Sequence, residues 1–253
     1  YKGVKLLDTN FPTIDPKNPS KLNPEEEYII DILQKEFSKN ILLNKHINFM
    51  YTNGSMYKKS NGSLLFHGCI PMDKDGNFQE ISIKGKSYKG RAMLDIFDKL
   101  ARDAYFSKNP KEKLFAQDIC WYLVCGKKSP IFGKSQYSYF ENSLVDDKDL
   151  KYEEMNPYYD LNKKEEICNK ILDEFNLKSE RRRIINGHVP VRVKEGKKPV
   201  RANGKLYVID GGISKPYQKK TGIAGYTLMY NSHHIALAEH LSYTNIRDNM
   251  GSY

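Results

Sequence analysis

Leu64–Asp73 reads LLFHGCIPMD. Three apolar residues run into a histidine, and the chain then breaks into Gly-Cys-Ile-Pro. A second stretch, RIINGHVPV (Arg183–Val191), has the same shape: Ile184 and Ile185 lead to Asn-Gly, then His188, then Val-Pro. Short apolar runs bounded by Gly and Pro read as buried strands. Each histidine is therefore expected at a strand tip, where the chain turns into a loop. Such tips are where functional groups concentrate, and a neighbouring glycine lets a ligand or metal approach the backbone closely. A single strand-end histidine is ordinarily structural or solvated. The repeated context raises the question of whether His67 and His188 do one job together.

Strand patterning surrounds the first histidine. From His46 to Ile70 two Asn-Gly pairs, Asn53-Gly54 and Asn61-Gly62, predict a meander whose last strand, 63–66, delivers His67 to its tip. Residues 76–89 alternate and predict another hairpin. Upstream, LNPEEEYIIDILQKEF carries a helix start: Asn23 as N-cap, Pro24 at the first position and Glu26 completing a capping box. That helix is expected to run to about Lys39 and to pack through Ile29, Ile30, Leu33 and Phe37. Residues 90–175 are helical in pattern (GRAMLDIFDKLARDAYF, KEKLFAQDICWYLVC, NKKEEICNKILDEFN), the last read as capped by Asn162 with Glu165 three residues on. A Gly/Pro/Lys loop, GKKSPIFGKSQYSYF, interrupts them. After Arg183 short strands return, and the final LSYTNIRDNMGSY follows no period. The organisation read from this is 1–89, a helix plus a strand meander that carries the first histidine; 90–182, a mostly helical insertion; and 183–253, the strands of a second sheet.

A chain of 253 residues, 39% hydrophobic and 12% aromatic, can bury a core and is not a solvating tail. No apolar run approaches the roughly 20 residues of a membrane span, and no signal peptide is visible. The chain opens on Tyr1 rather than Met, as a fragment or processed product would. Cys69, Cys120, Cys125 and Cys168 fit neither a zinc finger nor a C-x-x-C pair, so reduced thiols in the cytoplasm are expected. The net charge of +10 suits nucleic acid, a small phosphorylated substrate, or mere lysine richness. The lysines are scattered and no groove-reading motif accompanies them, which argues against nucleic acid. Asp73, Asp75 and Asp210 follow the two histidines without a spacing that establishes metal ligation.

LLFHGCIP, NGHVPV, RANGKLYVIDGGISK and YQKKTGIAGYTLMYNS, with FPTIDPKNP near the start and SPIFGK in the helical block, together resemble the class III fructose-1,6-bisphosphatase family. The motifs fall in the family's order from about Phe11 to Ser232. That family is similar to a divergent branch of the calcineurin-like metallophosphatases. The resemblance implies an α+β, α-β sandwich: two sheets face to face, helices outside, and two metal ions, manganese in this family, at the C-terminal strand ends. The superfamily pattern runs D-x-H, G-D-x-x-D-R-G, G-N-H-[DE], a strand-end His, then G-H. Its last two members match His67 in FHGC and His188 in NGHVP, which implies that both bind one metal ion.

The first three motifs are not in this sequence. The resemblance therefore implies the C-terminal portion of a longer metallophosphatase with a helical insertion, with no certain catalytic residue in this portion and no activity on its own. The implied partners are fructose 1,6-bisphosphate, losing its 1-phosphate in gluconeogenesis, and the missing N-terminal portion; a homo-oligomer is compatible, nucleic acid and membrane are not expected. The second phosphate needs a cationic grip, for which Lys134, Lys215 and Lys219 are the candidates. Arg181–Arg183 is denser in charge but reads as a solvated turn. Cys69 reads as a small buried residue beneath the loop, and Trp121 and Tyr122 as core packing. Two alternatives stand beside the hydrolase: a non-catalytic assembly or regulatory module of the same fold, and a basic nucleic-acid binder.

Overall fold

The structure, a computed structural model, describes residues 1–231 and 233–240. Ser232, where the family resemblance ends, and the unplaced tail 241–253 lie outside the described residues. The elements in chain order are helices α1 (Pro24–Lys39) and α2 (Ile41–Asn53), strands β1 (Tyr57–Ser60) and β2 (Ser63–Phe66), and strands β3 (Glu80–Ile83) and β4 (Lys86–Lys89). Helices α3 (Gly90–Phe106), α4 (Pro110–Cys125), α5 (Tyr139–Leu144), α6 (Lys148–Lys151), α7 (Tyr158–Leu161) and α8 (Glu165–Glu174) follow. Strands β5 (Arg183–Asn186), β6 (Val200–Arg201) and β7 (Leu206–Val208), helix α9 (Lys215–Thr221), and strands β8 (Gly225–Tyr230) and β9 (Ile235–His240) complete the order. Contacts divide the chain into two units: residues 1–55 with 136–153, and residues 56–135 with the chain from 154 onward.

In the first unit, α1 starts as its sequence dictates. Asn23 Oδ1 accepts from the Glu26 amide at 2.9 Å, and Glu26 returns a carboxylate oxygen to the Asn23 amide at 2.9 Å. Asn40 then ends α1 and caps α2, accepting from the Leu43 amide at 2.8 Å. The strand expected from His46 to Asn53 is thus helix: a capping Asn precedes it and neither Gly nor Pro interrupts it until Gly54. Asn53-Gly54 closes this helix, the Gly54 amide donating to Met50 O at 2.7 Å, instead of turning a hairpin. The packing face expected on α1 is not buried. Neither α1 nor α2 holds a buried residue, and Phe37 is 65% exposed.

In the second unit the other Asn-Gly pair does turn a hairpin. Asn61 and Gly62 lie at φ 49° and 71°, the left-handed pair that a two-residue turn between twisted strands requires. Lys84-Gly85 does the same between β3 and β4. The main sheet has the order β1-β2-β5-β7-β6, with β2, β5 and β7 parallel and an antiparallel strand at each edge. Leu64, Ile184 and Leu206 are register partners, all fully buried, so one row of side chains crosses the three parallel strands. Ile171, Leu172 and Phe175, from α8 and its C-terminal end, pack into the same core. A second cluster joins α3 and α4 through Met93, Phe97, Leu100, Ala116 and Leu123. The whole is a mixed α/β protein, with β8–β9 as a further two-stranded sheet.

Three local expectations change. Asn162 ends α7, its amide donating to Tyr158 O at 2.8 Å, and α8 starts after Lys164 without a side-chain cap. Tyr122 stacks on Phe97, as packing requires, but Trp121 is 67% exposed. Arg183 belongs to β5 and is buried, its guanidinium satisfied by Arg181 O at 2.9 Å, so it is not part of a solvated turn. No described helix is long and apolar enough to cross a membrane.

Candidate functional site

The three parallel strands end level with one another. Phe66, Asn186 and Val208 are register partners, so the chain leaves the sheet as His67, as Gly187-His188 and as Ile209-Asp210 along one carboxyl edge. Open parallel sheets bind ligands outside that edge, where loops are free to diverge and backbone groups point outward.

The two histidines meet there. His67 Nε2 lies 3.0 Å from His188 Nδ1, and the rings cross at 73° with centroids 4.8 Å apart. His188 Nε2 lies 3.0 Å from Phe132 O. A carbonyl only accepts, so His188 Nε2 carries the proton. In a neutral ring Nδ1 is then the acceptor, and His67 Nε2 donates to it. Burial lowers the pKa of both imidazoles. At His67 the Asp210 carboxylate opposes this weakly; at His188 the neighbouring His67 adds to it, and Lys134 contributes in the same direction. Both rings are neutral at pH 7, the state in which imidazole binds metal.

The backbone is shaped to hold this pair. His188 sits at φ 66°, in the left-handed region that non-glycine residues rarely occupy and that is retained where the surroundings over-determine it. The buried Asn186 side chain, immediately before Gly187, donates to Phe66 O, His67 O and Gly68 O at 3.3, 3.0 and 2.8 Å. Its Oδ1 accepts from the Tyr158 hydroxyl at 3.3 Å. One amide therefore ties the His67 loop to the strand tip that carries His188. Gly68 is required for a different reason from ligand access: a Cβ there would stand 2.2 Å from Pro130 O. The SPIFGK loop presses on that spot, Cys69 N donating to Pro130 O at 2.8 Å, and so brings the Phe132 carbonyl to His188.

Two nitrogens bound to one ion at about 2.1 Å lie roughly 3.0–3.4 Å apart for angles between square and tetrahedral. The His67–His188 spacing of 3.0 Å meets that requirement. Only the His67 proton stands in the way, and a shift from Nε2 to Nδ1 of the same ring removes it. The Phe132 carbonyl meanwhile holds the His188 tautomer, as outer-shell acceptors do in metal sites. The pair supplies two donors, and among the described residues no group of three or more His, Cys, Asp or Glu side chains converges.

Of the lysines named for phosphate, Lys134 follows Phe132-Gly133 and places its ammonium 5.8 Å from the Phe132 ring centroid, in the loop that meets His188. Lys215 and Lys219 lie on α9, exposed, with Lys219 O accepting from Lys194. Cys69 is buried, and burial pushes its thiol far above the ordinary range, in keeping with a small packed residue beneath the loop. Asn186 escaped the sequence reading because Asn-Gly reads first as a turn; the signal was an Asn directly after the two isoleucines of a short strand.

A close pair of imidazoles, His67 exposed and His188 half-buried, with one tautomer imposed, makes the carboxyl edge of the parallel strands the candidate ligand site of this mixed α/β protein. Comparison with known proteins makes this particular. The model of the Firmicute fructose-1,6-bisphosphatase family matches residues 1–252, and the chain belongs to that family. Among curated relatives, the fructose-1,6-bisphosphatase class 3 of Finegoldia magna is 49% identical over 253 residues, which is all of this chain and 39% of that protein. The enzyme of the same name from Clostridium botulinum type F is 49% identical over 246 residues, 97% of this chain and 37% of the relative. The chain thus spans under two-fifths of the length of these relatives. No solved structure matches it.

Proposed function

We propose that this chain is the C-terminal portion of a metal-dependent fructose-1,6-bisphosphatase, a cytoplasmic enzyme of gluconeogenesis that releases the 1-phosphate of fructose 1,6-bisphosphate. His67 and His188 hold one of its two manganese ions. The observation that carries this reading is the 3.0 Å approach of two neutral imidazole nitrogens at parallel strand tips, in a chain of that family. Bound manganese supplies Lewis acidity toward a phosphoryl oxygen. This chain's residues do the rest: His67 Nε2 and His188 Nδ1 present lone pairs, Phe132 O keeps the His188 proton on Nε2, and Asn186 holds the two loops at fixed spacing. Asp210, level with the pair on the next strand tip, acts electrostatically. Lys134, beside the histidines, is the lysine best placed to meet a phosphate oxygen there.

The two-sheet metallophosphatase fold, with 90–182 as a helical insertion, is part of the same reading. It is supported by α3–α8 lying between β4 and β5, and by the strand-tip site. The partner of this chain is then the remaining portion of the enzyme. The greater length of the relatives and the exposed apolar residues of α1, Ile29, Ile30, Leu33 and Phe37, support that. Four free thiols agree with a reducing compartment.

A second reading, a non-catalytic assembly module, is favoured by the missing third donor among the described residues. One experiment separates the two. Residues 1–252 replace the matching segment of the Finegoldia magna enzyme, and manganese-dependent phosphate release from fructose 1,6-bisphosphate is measured. The hydrolase reading expects release, lost on His67→Ala or His188→Ala. A folded chimera that releases no phosphate leaves the assembly module.

A further inference from the structure

Beside the histidine pair lies an open cleft of about 550 Å³ with a strongly basic lining: Lys163, Arg192, Lys197, Lys198 and Arg201. Asp160 is the one carboxylate among the lining residues. Some of this charge is spent. Lys163 pairs with Asp160 at 2.9 Å, and Arg192 and Lys197 share Glu195 at 2.9 and 3.1 Å. Lys198 and Arg201 differ, because no carboxylate among the described residues pairs with either.

Arg201 is the telling member. It is half-buried, and burial lowers its pKa, opposed only weakly by the Tyr158 hydroxyl. A guanidinium keeps its charge all the same, so its desolvation goes uncompensated inside the protein. Its described hydrogen bond is Nε to Lys198 O at 3.3 Å, which leaves the planar fork of donors unused. The chain just beyond it is strained: Ala202, Asn203 and Gly204 lie at φ 50°, 51° and 79°. Two successive left-handed non-glycine residues are costly, and strain of this kind clusters at ligand clamps. It fixes Arg201 at the end of β6, where the residue pairs with the buried Leu206.

The cleft adjoins the candidate metal site. Val189 and Pro190, which line it, follow His188 directly, and the Tyr159 ring lines it while lying 6.5 Å, centroid to centroid, from the His188 ring.

We propose that this cleft binds the far, non-reacting phosphate of a sugar bisphosphate: Arg201 and Lys198 take the phosphate monoester, and Tyr159 and Pro190 flank the sugar between it and the histidines. The assignment rests on the hydrolase reading for its substrate class, but not for its binding residues. It differs from a grip by α9, since neither Lys215 nor Lys219 lines the cleft. A guanidinium fork matches phosphate oxygens bidentately, and a phosphate there supplies the counter-charge that Arg201 lacks.

The test is calorimetric titration of the 253-residue chain with fructose 6-phosphate, which carries only the far phosphate, and with inorganic phosphate. Fructose 6-phosphate is expected to bind at least tenfold more tightly than inorganic phosphate. Arg201→Met and Lys198→Ala are each expected to weaken it at least tenfold, the scale of a charge-assisted hydrogen bond, while the exposed Lys111→Ala stays within twofold. Lys198 is exposed, so Lys198→Ala decides the matter if Arg201→Met fails to fold. Three results overturn the proposal: no binding of fructose 6-phosphate, affinity equal to that of inorganic phosphate, or affinity unmoved in Lys198→Ala. Binding through Arg201 and Lys198 in a protein whose chimera releases no phosphate keeps the cleft and removes the hydrolase. Phosphate release with a KM indifferent to Lys198→Ala does the reverse.

Discussion

Helix α1 and strand β2 make opposite bargains between local signal and burial. α1 has a complete capping box, Pro at its first position and an apolar stripe, yet it buries no residue. β2 is four residues long with no local signal beyond its apolar content and the turn before it, yet Leu64 is fully buried and Phe66 nearly so. Capping and periodicity decide whether a segment becomes helix, because they act within one turn of the chain. Burial is decided by partners distant in sequence, here β5 more than a hundred residues downstream. A pattern on one element therefore states what it can pack against, not that the partner is at hand.

The same substitution in both regions tests this most severely. Leu64→Ala removes a fully buried side chain from the row it shares with Ile184 and Leu206 and should cost about 2–5 kcal/mol. Leu33→Ala, at a site 46% exposed, should stay within about 0.5 kcal/mol. Urea midpoints at constant slope measure both. Equal costs would show that α1 packs on something in solution and would erase the contrast.

Asn186→Asp comes next, and it probes the strand tips alone. The amide donates to three carbonyls; a carboxylate at the same place donates to none and faces their negative ends. Leaving such buried groups unpaired costs about 1–3 kcal/mol. If Asn186 sets the histidine spacing, manganese affinity should fall by roughly 10- to 100-fold, as for other outer-shell residues. A loss of stability with manganese affinity unchanged would leave Asn186 a structural residue only.

Much of this edge was legible beforehand, and the reason is physical. A short apolar run broken by glycine and then proline reads as a strand tip, so His67 and His188 stood out without any knowledge of their distance. Asn61-Gly62 was readable because the turn's dihedrals exclude most other residues. Asn53-Gly54 misled because the same dipeptide also ends helices, and only the capping Asn40, thirteen residues upstream, separates the two outcomes. The contacts that assemble the site were out of reach. Phe132 O bonds His188 across 56 residues, and Asn186 reaches His67 O across 119. Neither a backbone carbonyl nor an Asn within a turn-like dipeptide announces such a partner. Arg201 was hidden likewise, since its lack of a carboxylate is a property of the fold.

The buried thiols give a smaller effect confined to the second unit. Burial pushes Cys168 up to about 12 and Cys69 higher still. In the unfolded chain both ionise near pH 8.5, while the native state keeps them protonated. Stability is therefore fully present below the ordinary thiol pKa and is lost as pH rises toward the folded values. By pH 9.5 the loss should reach about 1.4 kcal/mol per thiol. Cys168→Ala should flatten that slope between pH 8 and 10 when urea midpoints are compared.

The least disturbing change should be Asn23→Ala. It removes the side-chain acceptor for the Glu26 amide and with it half of the capping box, worth about 1 kcal/mol to a helix. In a helix that buried a core face, this energy would pass into global stability, because unfolding α1 would uncover the core. α1 buries nothing, so the cost stays local. The expected outcome is faster amide exchange in 24–39, with no shift in the urea midpoint of the sheet that carries the histidines. A midpoint that falls together with α1 would couple the two regions.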